Sequence, residues 1–176
     1  MKDNEVITAI KARRSIRKYE TSKIDDETIR LILDAGRWAP SGLNNQPWRF
    51  MIIADGETKK GLSNLTKYNR IVRESTLCIA VFYDRMKGYD RDKDVMAIGA
   101  CIQNMLLAAH TLGVGTVWLG EILSRKVEAG LLLGAKQDFE LMALISLGSP
   151  AESPRSSRKE LESLIITPPE GGPGDR

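Results

Sequence analysis

The segment 95–112 is apolar around most of its circumference, and this limits what the chain can become. It is rich in Ala, Leu and Met, holds no Pro and stops at Gly113, so it is predicted to be a helix. A helix this apolar must be covered on more than one side. A chain of 176 residues has two ways to do that. It wraps the helix in its own sheet, or it presses the helix against a second copy. Ala97, Gly99 and Ala100 would let another helix approach closely, and an obligate homodimer is the favoured reading.

Four compact apolar runs supply the sheet. Segments 48–54, 76–83, 114–119 and 141–147 are short, apolar and bounded by turn residues, so each is predicted to be a buried strand. Helices are predicted between them. One follows a cap at Asp3 or Asn4 and carries Val6, Ile7 and Ile10. Another starts at Asp25 or Asp26 with Ile29, Ile32, Leu33 and Gly36 inward. Two more cover 57–65 and 123–133, the latter closed by Gly134. Segment 40–47 reads as a loop, and 84–94, dense in charge, as an exposed loop. Segment 158–165 reads as helix or extended arm, and the Pro- and Gly-rich tail 167–176 as disordered. Strands alternating with helices make 1–166 one α+β or α/β domain.

Charge and composition remove several classes. Lys and Arg total 26 against 23 Asp and Glu, a net charge of +3, which requires no nucleic-acid face. Hydrophobic residues at 42% exclude a mostly disordered chain. No apolar run is long enough for a transmembrane helix, and Met1-Lys2-Asp3-Asn4-Glu5 does not open a signal peptide. The only cysteines, Cys78 and Cys101, are far apart, so reduced thiols and a cytoplasmic location are expected.

Common catalytic signatures are missing. Gly113-x-Gly115 lacks the third glycine of a dinucleotide fingerprint, since Trp118 stands there, and it follows a helix rather than a strand. Cys101 and the lone histidine, His110, fall on opposite sides of one helix, so no metal site is expected and Cys101 reads as a packed small hydrophobe. A hydrolase built on Ser41 and His110 has no nucleophile elbow.

Two features do point to a ligand. Arg13-Arg14-Ser15-x-Arg17 gathers three guanidiniums and a hydroxyl at a helix end, a donor set suited to one phosphomonoester. A solvated basic turn is the plain alternative. The stretch from Ala39 to Trp48 places Asn44, Asn45 and Gln46 before a strand, and carboxamides match the polar edge of a heterocycle. Turn formation explains them equally, and core packing is the reading of Trp48.

Together these features resemble the nitroreductase family of FMN-dependent NAD(P)H oxidoreductases. The resemblance runs from Arg13-Arg14-Ser15-Ile16-Arg17-Lys18-Tyr19 through Pro40-Ser41-Gly42 and Asn44-Asn45-Gln46-Pro47-Trp48. It continues in the helix around 99–112, in Gly113-Val114-Gly115-Thr116-Val117-Trp118-Leu119-Gly120, in Leu147-Gly148-Ser149-Pro150 and in Arg158. Only the tail is outside it. The resemblance implies an α+β fold with a mainly antiparallel central sheet flanked by helices, in an intertwined homodimer holding FMN at its interface. By position, Arg13, Arg14 and Ser15 correspond to phosphate and ribityl contacts, and Arg158 to a late return to the phosphate. Arg17 corresponds to the basic residue near flavin N1 and the C2 carbonyl. Pro40, Ser41, Gly42 and Asn44 correspond to a pocket wall from the partner chain, with Gln46 a polar contact. Leu119, Gly120 and Glu121 correspond to the strip near N5, and Asn69 to an asparagine at the pyrimidine edge.

The implied activity is electron transfer from NAD(P)H to a small acceptor such as a nitroaromatic or quinone, by a ping-pong scheme. The flavin carries the redox step, so no catalytic side chain is assigned. A flavin-binding protein with different or no turnover is the alternative. The chain departs from larger members in reading Gly120-Glu121 where many have Glu-Gly. It is also shorter, with 84–94 the one stretch available to cover the site.

Overall fold

The computed structural model of the chain describes residues 4–167. The expectation for the tail, Thr167 apart, lies outside the described residues.

The strands are β1 (Tyr19–Glu20), β2 (Trp48–Ile53), β3 (Leu77–Asp84), β4 (Gly115–Leu119) and β5 (Phe139–Pro150). The helices are α1 (Glu5–Ala12), α2 (Asp26–Arg37), α3 (Gly56–Ser63), α4 (Asn69–Glu74), α5 (Arg91–Thr111) and α6 (Lys126–Leu132). β5 is the hub. It pairs antiparallel with β3, with β4 and, near its C-terminal end, with β1, while β2 extends the sheet beyond β3. The fold is α+β, with helices on both faces of this sheet.

Two covered faces explain why the strands read as continuous apolar runs rather than alternating ones. Along β3, Leu77, Ile79, Val81 and Tyr83 pack toward α2 and α5. Cys78, Ala80 and Phe82 pack toward the opposite layer with Leu62, Val72 and Ala129 of α3, α4 and α6. The register of β5 slips opposite the Val81–Phe82 step, where Val81 faces Ala143 and Phe82 faces Leu141. The extra residue, Met142, lets Leu141 join the Phe82 layer.

α5 buries Ala97, Ile98, Cys101, Ile102, Met105, Leu106 and Ala109 in its own chain. α2 crosses it at Gly36, where a Cβ would stand 2.7 Å from Met105 Cγ, so glycine sets that helix separation. Burial pushes the Cys101 thiol up to about 12, consistent with a packed hydrophobe. The remaining faces of α5 are half-buried, and Met96 is 70% exposed.

Four expectations are corrected. Segment 84–94 is not an exposed loop throughout, because α5 begins at Arg91 and Asp94 is fully buried. β2 is an edge strand rather than a buried one, with Ile52 exposed. Ala97 belongs to the chain's own core and is not open to another helix, whereas nothing stands within 4 Å of a Cβ at Gly99. α4 was not foreseen, since six residues with two buried apolar positions, Ile71 and Val72, carry too little periodicity to read. Segment 158–165 is an exposed arm with one short turn at Leu161–Leu164. No helix among the described residues is long and apolar enough to cross a membrane.

Candidate functional site

α1 ends at Arg13, whose N–H donates to Ala9 O at 2.9 Å. The chain then runs extended beside β4, with Ile16 N donating to Thr116 O at 2.8 Å and Ser15 bridged in parallel to Thr116. After β5 the chain doubles back along the same segment. Ala151 N donates to Lys18 O at 3.0 Å, and Arg17 N to Glu152 Oε1 at 2.6 Å. A cavity of about 200 Å³ lies between these segments, lined by Arg13, Arg14, Ser15, Arg17, Pro154, Arg155, Ser156 and Arg158.

Five guanidiniums therefore face one small space. Their hydrogen bonds go to neutral acceptors. Arg14 Nη1 donates to Lys11 O and Arg13 O, Arg17 Nη1 to Ser15 O, and Arg158 Nη1 to Ser157 O and Ser156 Oγ. Among the described residues none of the five joins an ion pair with a carboxylate. Burial, and then the charges of Arg158 and Arg14, hold the Arg13 guanidinium below its ordinary pKa. Such a cluster is self-repelling unless an anion is shared among its members. A phosphomonoester offers nearly two negative charges and three acceptor oxygens, and guanidinium forks match them. The residues present thus fit the phosphate end of FMN.

The strip Leu119, Gly120 and Glu121 lies on the same sheet edge. The parallel bridge at Ser15 and Thr116 sets it three residues along β4, about 10 Å at ~3.3 Å per residue. The Leu119 side chain is buried in the core and Gly120 is exposed. The Glu121 carboxylate accepts from Thr66 Oγ1 at 2.5 Å and from Lys67 N at 3.2 Å. The Thr66 bond, chiefly, holds this carboxyl below the usual carboxylate range. Glu121 thus clamps the strip to the turn before α4, and Asn69, the first residue of α4, is exposed and accepts from Arg73 Nη2 at 3.4 Å.

The 40–46 loop is a separate element, and it does not line the arginine cavity. Leu43, Asn44 and Gln46 all have positive φ, at 54°, 54° and 46°. Each such non-glycine residue costs about 1 kcal/mol or more. The polar side chains meet that cost locally. Ser41 Oγ accepts from Gln46 N at 3.1 Å, and Gln46 Nε2 donates to Asn44 Oδ1 at 3.1 Å. Asn45 Nδ2 reaches outward, to Lys87 O at 3.0 Å and Asp94 Oδ1 at 2.7 Å. Gly42 is held against Tyr89, and a Cβ there would lie 2.0 Å from the phenol oxygen. The turn reading describes Asn44 and Gln46, whereas Asn45 bonds beyond the turn, and Trp48 packs in the core.

In one chain, then, Arg13, Arg14, Ser15, Arg17 and Arg158 share a cavity, Leu119 to Glu121 lie along the same edge, and Pro40 to Gln46 stand apart. Arg155 and Glu152 were missed. The signal for Arg155 was present, because Arg155-Ser156-Ser157-Arg158 repeats the arginine–serine composition of 13–17. Glu152 carried none, since its role is to accept a backbone N–H 135 residues away. Among the described residues no cluster of three or more His, Cys, Asp or Glu side chains is placed to hold a metal ion.

Comparison with known proteins identifies the family and the fold. The model of the nitroreductase family matches residues 10–77 and 63–149. A protein of Archaeoglobus fulgidus, assigned as an NADH dehydrogenase/NAD(P)H nitroreductase, is 36% identical over 84% of this chain and 87% of its own. One from Methanothermobacter thermautotrophicus, assigned likewise, is 35% identical over 85% of this chain and 80% of its own. A crystal structure from Desulfovibrio desulfuricans, described as a nitroreductase in complex with FMN, is 46% identical and superposes with a TM-score of 0.91, over 95% of this chain and 98% of that one. Matched by the family model over most of its length and by relatives of this identity and coverage, this chain belongs to the nitroreductase family.

Proposed function

We propose that this protein is an FMN-dependent oxidoreductase that takes electrons from NAD(P)H and passes them to a small organic acceptor such as a nitroaromatic or quinone. The observation that carries the reading is the cavity where five arginines meet without a carboxylate. It is supported by the similar chain from Desulfovibrio desulfuricans, which is described as binding FMN.

Arg13, Arg14, Ser15, Arg155 and Arg158 would hold the phosphate. Arg17 would set a positive charge toward the N1 and C2 edge. The backbone at Leu119, Gly120 and Glu121 would border N5, with the Glu121 side chain already committed to Thr66 and Lys67. FMN, when bound, supplies hydride uptake and release, so the side chains need only bind, orient and exclude water. The nicotinamide and the acceptor would use one exposed face in turn.

A second copy would complete the site. Pro40, Ser41, Gly42, Asn44 and Gln46 would wall the partner's pocket, and Asn69 would lie at its pyrimidine edge. Met96 and the open side of Gly99 on α5, with Leu161, Leu164 and Ile165 on the arm, are apolar surfaces that a homodimer would cover.

The test is spectroscopic. Purified protein should carry or take up FMN and turn yellow. NADH or NADPH under argon should bleach it, and a nitroaromatic or quinone should restore the colour. Protein that takes up no FMN overturns the reading. Protein that binds FMN but is bleached by neither nucleotide is a flavin binder without this turnover.

A further inference from the structure

We propose that Asp94, acting through Asn45, is the positioning residue that holds the strained 41–46 loop in the shape with which it walls the cofactor pocket. The proposal rests on the functional reading above, which makes this loop part of the pocket.

Asp94 is a carboxylate with no exposed surface, one turn into α5. A buried charge is costly unless its lone pairs are filled. Here they are. Asp94 accepts from Asn45 Nδ2 at 2.7 Å, Tyr83 Oη at 3.0 Å, Tyr89 N at 3.0 Å and Asp90 N at 3.4 Å. Among the described residues it has no cationic partner, because nearby Arg91 is bound to Glu140 instead. Four donors converging on one group explain the choice of residue. An asparagine would turn an amide N–H₂ against at least one of them.

The four donors come from three segments. Tyr83 belongs to β3, Tyr89 and Asp90 to the turn before α5, and Asn45 to the loop. Asn45 also donates to Lys87 O. One carboxamide therefore ties the loop to both the 84–90 turn and the first turn of α5. It does so at a cost, because its own Oδ1 is buried without a hydrogen-bond partner among the described residues. An amide serving only its own turn would not leave that atom orphaned.

The loop needs such an anchor. Three positive-φ residues in four positions persist only where the surroundings over-determine them. Bonds from Gln46 N to Ser41 Oγ and from Gln46 Nε2 to Asn44 Oδ1 close the loop on itself without attaching it to the body. The Asn45–Asp94 bond and the seating of Gly42 on Tyr89 attach it. The same contacts reach the 84–90 turn, which buttresses the loop.

The experiment uses the full-length chain saturated with FMN. It compares Asn45→Ala, Asp94→Asn and Tyr83→Phe with Ile53→Ala, a control in the opposite core layer. Amide exchange in 41–46, thermal unfolding and FMN affinity are measured on each. In Asn45→Ala, exchange in 41–46 should rise at least tenfold while β3 and β5 keep their rates, and FMN affinity should fall at least tenfold. Asp94→Asn should match it, and Tyr83→Phe, which keeps three donors, should fall between. Ile53→Ala should lower the unfolding temperature yet leave FMN affinity within twofold. Unchanged exchange in 41–46 of Asn45→Ala overturns the anchor. Affinity that follows unfolding temperature through Ile53→Ala as well overturns the positioning role. A loosened loop with unchanged FMN affinity overturns the role toward the cofactor. Wild-type protein that binds no FMN overturns the functional reading instead, and the exchange rates then decide the anchor alone. If Asp94→Asn does not fold, Asn45→Ala on the part-exposed loop carries the test.

Discussion

The backbone N–H of Arg17 donates to Oε1 of Glu152 at 2.6 Å, and this bond ties the C-terminal arm to the arginine segment. With the bond from Ala151 N to Lys18 O, it sets where Arg155 and Arg158 stand relative to Arg13 and Arg14. Glu152→Ala removes a negative charge, so electrostatics alone would tighten anion binding. Loss of the tie should win. FMN affinity is expected to fall about tenfold, roughly 1.4 kcal/mol, in a fluorescence titration. Tighter binding would show that the arm needs no tether.

Arg13, part-buried like Arg14, is repelled by Arg158 and Arg14. Arg13→Ala should weaken FMN by the worth of a charge-assisted hydrogen bond, roughly 1.5–3 kcal/mol. Riboflavin, which lacks the phosphate, should bind either protein alike. Equal losses for both ligands would place the phosphate elsewhere.

Arg17 lines the same cavity but is exposed. A guanidinium near N1 stabilises negative charge gained on reduction more than it stabilises the oxidised ring. Arg17→Leu should lower the two-electron midpoint potential by ~30 mV or more, about 1.4 kcal/mol. Arg17→Lys should recover much of it. An unchanged potential in anaerobic titration means that solvent screens the charge.

Gly99 faces open space in the single chain. Gly99→Arg should fold normally and block close approach of a second helix. Sedimentation should give wild type near twice 19.6 kDa and the variant near one chain. An obligate interface of over ~2,000 Å² would not survive a buried guanidinium. A dimeric variant would move the interface off this face of α5.

Glu140 joins three elements through Arg91, at 2.9 Å, and Lys126. Arg91, first, holds its carboxyl below the usual carboxylate range. A carboxyl depressed in the folded state adds stability above its unfolded pKa and loses it as pH falls through the folded one. Glu140→Gln should therefore cost about 1–2 kcal/mol at pH 7 and nearly nothing in strong acid. Denaturant melts at several pH values test this. A penalty independent of pH would make the contact one of shape rather than charge.

Much of the fold was legible because burial on both faces leaves a local mark. β3 is apolar at every position except its last, Asp84, since Ile79 faces α5 while Phe82 faces the opposite layer, and a run of that kind reads as a strand without any partner in view. The caps were equally local. Asn4 accepts from Val6 N and Asp25 from Thr28 N, two and three residues away. The Arg13 to Arg17 cluster was legible as a candidate anion site because three guanidiniums and a hydroxyl lie within five residues.

What only the tertiary structure decided involves bonds between distant segments. Asp94 sits in a charged stretch that reads as exposed, and it is buried because Asn45, Tyr83 and Tyr89 bring donors to it from three other places. Glu121 reads as a site residue, yet Thr66 and Lys67 claim its carboxylate. The energy of a buried polar group depends on whether its partners are present, and those partners lie far off along the chain, as Asn45 does from Asp94. Apolar burial needs only a pattern along the chain, whereas polar satisfaction needs the folded geometry.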